Sequence, residues 1–381
     1  MQHRSKLPNV STTIFTVMSG LAQKYNAINL SQGFPNFDVN AELLNLVNSA
    51  MKNGHNQYAP MAGNLELRKE ISKKYELLYD SSYLPENEIT VTAGATQAIF
   101  TIISAFIHVD DEVLVFKPAY DCYEPAIELN GGKVIPIQLN APNYKVDWVA
   151  VEKMITSKTK MIIFNTPQNP SGTIFSKDDL LQLQKLTKNT NIIVLSDEVY
   201  EHIIFDGLQH ESVCKYSDLK KRSFITASFG KTFHVTGWKI GYCCAPKELM
   251  DEFRKVHQFN VFSVHHPSQV ALAEYLKMPN NYLGLNTFYQ QKRDLFLELI
   301  KDSNFEFVPS QGAYFQNLSY VNISNENDVD FAKRLVKEFG IASIPLSVFN
   351  VDNQDDKMLR FCFAKKSDTL KRAAEILNRI S

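Results

Sequence analysis

Ser223-Phe-Ile-Thr-Ala-Ser-Phe-Gly-Lys231-Thr-Phe-His-Val-Thr-Gly-Trp-Lys239-Ile-Gly241 is the stretch from which the reading of this chain proceeds. Its first six residues are β-branched, aromatic or small, the composition of a short buried strand, and Phe229-Gly230 signals the turn that closes it. Lys231 therefore stands at the carboxyl end of a strand, the edge of an open α/β sheet where ligands collect. An amine held there is suited to forming a Schiff base with an aldehyde, and Lys239 supplies a point charge for a phosphate. Two other motifs overlap the segment and fail. Gly230-Lys231-Thr232 matches the end of a P-loop, but that pattern requires glycine where Ile225 stands. Ser228-x-x-Lys231 is matched equally by Ser212-x-x-Lys215 and Ser217-x-x-Lys220, and no Lys-Thr-Gly follows, so it carries no weight as a penicillin-recognising signature.

Outward from this segment, strand-like and helical runs alternate between residues 89 and 245. Strands are expected at 89–92, 112–116, 133–137, 161–165, 192–195, 224–227 and 240–244, and helices at 95–108, 122–129 and 177–187. Such alternation predicts an α/β fold with a mainly parallel central sheet and helices on both faces. Helices follow at 247–257, 267–277 and 280–301. The order then changes to strands at 305–308 and 313–318, a helix at 328–339, a strand at 357–363 and a last helix at 367–380, which suits a smaller α+β domain. The expected division is an N-terminal segment 1–40 packing with the small domain, a large domain 41–280 and a small C-terminal domain 281–381.

The 381 residues are 44% hydrophobic and 21% charged, ordinary for a soluble globular protein with one large core and a smaller one. A formal charge of -1 gives no electrostatic case for nucleic acid or an anionic membrane, and Lys220-Lys221-Arg222 reads as a solvated turn. Five cysteines, with Cys243 and Cys244 adjacent, form neither a disulfide framework nor a C-x-x-C metal pattern, which points to a reducing, cytoplasmic compartment. The longest apolar runs, at 160–164 and 191–195, have strand length and are far short of a membrane span. The first residues lack the apolar region of a secretory signal. His265 and His266 are adjacent and unsuited to sharing one metal ion, so no metal site is expected.

Polar residues gather where the expected strands end. Thr92-Ala-Gly94-Ala95-Thr96 opens a helix, where free N–H groups and the helix dipole bind anions. Pro118-Ala-Tyr120 presents an aromatic ring able to stack on a flat heteroaromatic one. Asn165-Thr-Pro167-Gln-Asn169-Pro170-Ser-Gly172 is an irregular loop in which Asn169 can donate to a ring oxygen. Asp197 closes an apolar strand, so its carboxylate wants a cation or donor, or else caps the next helix; Tyr200 lies three residues on. Arg360, inside the apolar run Met358-Leu-Arg-Phe-Cys-Phe363, needs an anionic partner, either a bound carboxylate or a structural salt bridge.

Asn169-Pro-x-Gly172, Asp197-x-x-Tyr200, Ser228-x-x-Lys231, Lys239 and Arg360 together resemble the ordered motifs of the fold-type I, class I/II aminotransferases that use pyridoxal 5′-phosphate. The match runs from Ser31-Gln-Gly33-Phe-Pro35 through Tyr58 to Arg360, and Gly33-Phe-Pro35 with Asp121-Cys-Tyr-Glu-Pro125 is most similar to the kynurenine/glutamine and bacterial methionine aminotransferases. The resemblance implies pyridoxal 5′-phosphate as cofactor, with Lys231 as Schiff-base lysine and proton shuttle, Asp197 under the pyridine nitrogen, Tyr200 and Asn169 on the ring oxygen, and Tyr120 against the ring face. It implies a phosphate site of Gly94, Ala95, Thr96, Ser228 and Lys239, completed by Tyr58 across a homodimer interface. Arg360 and Asn169 would bind the substrate carboxylate, and Phe15 and Gly33 would line the side-chain pocket. The chain departs from many relatives at Lys239, where they have arginine, and from some at Tyr120, where they have phenylalanine or tryptophan.

The activity so implied is ping-pong transamination between an amino acid and a 2-oxo acid. Dicarboxylate-specific relatives bring a second arginine from the partner chain, whereas residues 258–267 contain none, so the expected donor is neutral: methionine, glutamine, an aromatic amino acid or a kynurenine-like one. The alternative on the same fold is a carbon–sulfur β-lyase acting on cysteine conjugates. A non-catalytic cofactor-binding regulator would append a DNA-binding module, for which residues 1–30 are too short.

Overall fold

The computed structural model describes residues 4–381. A short strand β1 (Ile28–Asn29) precedes β2 (Ile89–Thr92), β3 (Glu112–Lys117), β4 (Lys133–Gln138), β5 (Thr159–Asn165), β6 (Ile193–Asp197), β7 (Ser223–Ser228) and β8 (Gly241–Cys244). Near the C-terminus follow β9 (Phe315–Ser319), β10 (Ile341–Ala342), β11 (Ile344–Pro345) and β12 (Met358–Cys362). β2 to β8 form one sheet in the order β2-β8-β7-β6-β5-β3-β4, and β9, β11 and β12 form a second, antiparallel one. In the large sheet only β8 runs against its neighbours. Its central strands are buried almost throughout, as strands covered by helices on both faces must be. The fold is thus the expected α/β one, a mainly parallel sheet with a smaller antiparallel sheet beside it.

Some elements differ from the sequence expectation for identifiable reasons. The helix expected at 280–301 is interrupted at Gly284, giving Asn280–Leu283 and Leu285–Ile300. The strand expected at 305–308 is reduced to a single bridge between Glu306 and Ser319. The helix expected at 328–339 is α-helical over Asp328–Arg334 and widens to a π turn over Leu335–Phe339, ending at Gly340 with φ +72°. The alternating pattern predicts no helix before residue 89, yet Ile14–Lys24, Ala41–Lys52 and Leu65–Tyr79 are helical, each started by a side-chain cap, from Thr13, Asn40 and Asn64. Met18, Ala22 and Leu30 share one core with Phe361 and Leu370, so the N-terminal segment packs with the C-terminal sheet.

One glycine decides how tightly the large sheet closes on its first helix. Gly241 pairs with Ser228 on one side and Thr92 on the other. A Cβ there would lie 2.6 Å from the Ala227 carbonyl oxygen and 2.9 Å from the Ala95 nitrogen, both backbone atoms that cannot swing away. Gly241→Ala is therefore expected to lose about 1–3 kcal/mol of stability in urea unfolding, and an unchanged midpoint would contradict the close approach.

Candidate active site

The sheet register brings the polar strand ends together. Asn165 pairs with Asp197, Asp197 with Thr226, and Gly241 lies between Ser228 and Thr92. Because β8 is reversed, its start, just after Lys239, reaches the edge at which the parallel strands finish. A cavity of about 240 Å³ opens there, lined by Gly94, Ala95, Thr96, Tyr120, Asn169, Asp197, Tyr200, Ser228, Lys231 and Lys239. A second, of about 260 Å³, shares Gly33, Tyr120, Asn169, Tyr200 and Lys231 with it and adds Phe15, Phe315 and Arg360. Of the residues singled out in the sequence, Tyr58 alone lies outside both; it is 80% exposed, its ring edge-on to Phe262.

At one end the helix Ala95–Phe106 points its N-terminus into the cavity. Gly94 precedes it with φ +79° and no side-chain cap, and its missing Cβ leaves room for the Lys239 ammonium, whose Nζ is 3.3 Å from where that Cβ would sit. Free N–H groups, a helix dipole and a cation together make an anion site. Thr96 Oγ1 lies 3.3 Å from the Tyr120 hydroxyl, which ties the helix start to the aromatic ring.

Asp197 forms the floor. It ends β6 only 4% exposed, and no helix follows for it to cap. The Tyr123 hydroxyl donates to Oδ2 at 2.6 Å and the Thr226 hydroxyl to Oδ1 at 3.4 Å. Burial nonetheless raises its pKa to about 6. Asn165 Nδ2 donates to the Asp197 carbonyl (2.7 Å), and its Oδ1 accepts from the Asn169 N–H (2.6 Å), so the Asn169 loop is pinned to the end of β6.

Lys231 sits on a single helical turn, Phe229–Thr232, that continues β7. Its Nζ donates to the Gly33 carbonyl at 3.4 Å and lies 5.7 Å from the ring centres of both Tyr200 and Tyr314. Desolvation pulls its pKa down to about 8, helped by the Arg360 and Lys239 charges and opposed by Asp197. Arg360, in β12, is 1% exposed. Its Nη1 donates to Asn169 Oδ1 at 2.5 Å and its Nη2 to the Ser31 carbonyl at 2.8 Å, while Nε has no partner. The guanidinium lies 3.9 Å from the Phe315 ring centre and 5.2 Å from that of Phe15. Its partners are an amide and a carbonyl rather than a carboxylate, and burial lowers its pKa to about 10.

Sequence reasoning missed several contributors: Tyr123, Thr226, Asn165 as a clamp, Gln32, Tyr314 and Phe315. Tyr123 lies within Asp121-Cys-Tyr-Glu-Pro125, a stretch that carries the resemblance, but nothing in the linear chain couples position 123 to position 197.

The family model described as aminotransferase class I and II matches residues 25–377. A methionine aminotransferase of Escherichia coli is 46% identical over 378 residues, covering 99% of this chain and 98% of that protein. A kynurenine–oxoglutarate transaminase of Dictyostelium discoideum is 31% identical over 408 residues, covering 97% and 94%. A crystal structure from Escherichia coli described as having a methionine aminotransferase function superposes with a TM-score of 0.97 at 46% identity, over all of both chains.

The buried carboxyl makes ligand-free stability depend on pH. Because the folded state raises the Asp197 pKa from 3.8 to about 6, the native protein holds this proton more tightly than the unfolded chain, and stability falls as pH rises through that window. Asp197→Asn is expected to stabilise the ligand-free protein at pH 7, by at most about 3 kcal/mol, and to change little at pH 4. Urea unfolding at the two pH values checks this, and an equal effect at both would count against it.

Proposed function

Since the chain belongs to the class I and II aminotransferases, we propose that it binds pyridoxal 5′-phosphate and moves an amino group between a neutral L-amino acid, methionine foremost, and a 2-oxo acid. The observation that carries this reading is the meeting of the Lys231 amine, the Asp197 carboxylate and an Arg360 guanidinium without a carboxylate partner around two cavities that share a wall. The unpartnered Nε of Arg360 is what a binding site for a carboxylate guest leaves behind when empty-handed donors are buried. Arg360 is the one arginine lining these cavities, and Phe15 and Phe315 make the far wall apolar, which favours a neutral side chain.

The residues present fit the cofactor. The helix start at Ala95, the space over Gly94 and the Lys239 ammonium suit a phosphate; Asp197 suits a pyridinium nitrogen; the Tyr120 ring suits a flat aromatic partner. In this reading Gly94, Ala95, Thr96, Ser228 and Lys239 hold the phosphate, together with Tyr58 of the partner subunit in a homodimer. When bound, the cofactor supplies an electron sink for the charge left by loss of the substrate's α-proton. Lys231, with its pKa near 8, has a neutral fraction at neutral pH that can take that proton and return it. Arg360 and Asn169 orient the substrate carboxylate, Tyr200 and Asn169 donate to the ring oxygen, and Asp197 holds the pyridine proton. Phe15 and Gly33 bound the side-chain pocket.

The same proposal assigns the cofactor to a large domain, residues 41–280, and the substrate cover to residues 1–40 and 281–381, of which the first three lie outside the described residues. It locates the enzyme in the cytoplasm. Supporting this, all five cysteines are free thiols, and among the described residues no helix is long and apolar enough to cross a membrane.

Borohydride reduction of protein loaded with pyridoxal 5′-phosphate is expected to fix the cofactor on the peptide containing Lys231, read by mass; labelling elsewhere overturns the assignment. Arg360→Leu should lower kcat/KM for amino acids by about 10²–10³, the scale of a lost charge-assisted carboxylate contact. A donor panel should rank methionine and other neutral amino acids above aspartate. Pyruvate and ammonia released from a cysteine conjugate without any acceptor acid would point to the lyase instead.

A further inference from the structure

On the site reading just given, we propose that Tyr123 is a positioning residue for Asp197: its phenol keeps the carboxylate ionised and aimed, leaving the other oxygen for the cofactor. Tyr123 opens the helix Tyr123–Leu129 and is 1% exposed. Its hydroxyl donates to Asp197 Oδ2 at 2.6 Å, the short range of a charge-assisted O–H···O⁻ bond. Thr226 is the other side-chain donor, its hydroxyl reaching Oδ1 at 3.4 Å, at the edge of hydrogen-bonding distance, and the Val199 N–H also donates to the carboxylate. One oxygen is thereby committed to the protein and the other keeps capacity for a guest.

The neighbours of Asp197 leave this task to Tyr123. The segment before the helix brings Tyr120 and Cys122, both held neutral by burial; the turn after β7 brings Lys231, acting through space; Tyr200, the residue after Val199, whose N–H also donates, is neutral for the same reason. Tyr123 itself is pushed far above the ordinary phenol range by burial and by the Asp197 charge, so it stays a donor at every working pH. Its ring stands edge-on to Tyr120, centroids 5.9 Å apart, which links the carboxylate to the ring at the cavity wall. A buried carboxylate stripped of its best donor reverts toward the neutral acid, and a neutral acid cannot hold a pyridinium.

Tyr123→Phe keeps the ring and removes only the hydroxyl. In the cofactor-free protein, the pH at which Asp197 loses its proton, read from the pH dependence of the stability difference between Asp and Asn at 197, should rise by about one unit in the Tyr123→Phe background, equivalent to about tenfold. In the loaded enzyme the acidic limb of kcat/KM should move up with it. The dissociation constant for pyridoxal 5′-phosphate should weaken about tenfold at pH 5 and about twofold at pH 7, and converge with the parent at pH 9, where the carboxyl ionises regardless. Thr226→Val should shift these quantities less. A Tyr123→Phe protein that melts lower yet shows an unmoved Asp197 titration and an unmoved binding profile overturns the proposal, since its tyrosine then only packs. Failure of the parent protein to take up the cofactor at all would instead sink the reading of the site, and the cofactor-free titration tells the two failures apart.

Discussion

Positive charge in excess of negative is concentrated at one edge of the large sheet, and burial makes that imbalance costly. Arg360 and Lys231 face the cavities with Lys239 at the rim, against the single carboxylate of Asp197 at the floor. The strain is visible in both signs: burial depresses Lys231 and Arg360, with the Arg360 and Lys239 charges adding to the effect at Lys231, while desolvation raises Asp197. Anionic guests would relieve that imbalance. The two anions of the proposed chemistry, a phosphate and a substrate carboxylate, would supply the missing charge at the two ends where the cations stand.

The N-terminal segment is fastened over this site by the same donors. Arg360 Nη2 reaches the Ser31 carbonyl, Lys231 and the Tyr314 hydroxyl both reach the Gly33 carbonyl, and Lys365 Nζ reaches the Phe34 carbonyl at 2.8 Å. A loop whose carbonyls accept from buried cations is held where side chains alone would not hold it. A Cβ at Gly33 would meet the Phe315 ring at 2.8 Å, so a larger residue there would have to displace that ring. Behind the floor, Lys74 bonds Glu201 and the Tyr242 hydroxyl, and the Tyr79 hydroxyl donates to the other Glu201 oxygen. The segment from Asp197 to Glu201 is thus anchored on its rear face by a buried ion pair while Asp197 and Tyr200 line the cavity.

Legibility in the sequence followed the strength of local signals. The helix expected at 177–187 is found over Lys177–Thr187, bounded by a capping box that Ser176 and Asp179 announce. The alternating region from 89 to 245 was readable because each strand there is a continuous apolar run. The first three helices carry their caps in the sequence but precede the alternating region, so alternation does not reveal them. Glu306 forms a bridge instead of a strand, since its partner Ser319 is the last residue of β9 and the ladder ends there.

The order of chemistry-bearing residues along the chain, and the strand ends on which they stand, were determined by the sequence alone, because turn residues and apolar runs are local properties. So was the identity of the amine, the carboxylate and the guanidinium. Tertiary structure decided what each one touches. It turned Arg360 toward an amide rather than a carboxylate across 191 positions, gave Asp197 a phenol donor from 74 positions away, and laid residues 31–34 over the cavity. These choices depend on strand register, on the reversal of β8 and on the close approach that Gly241 permits, none of which is encoded within any one stretch of the chain.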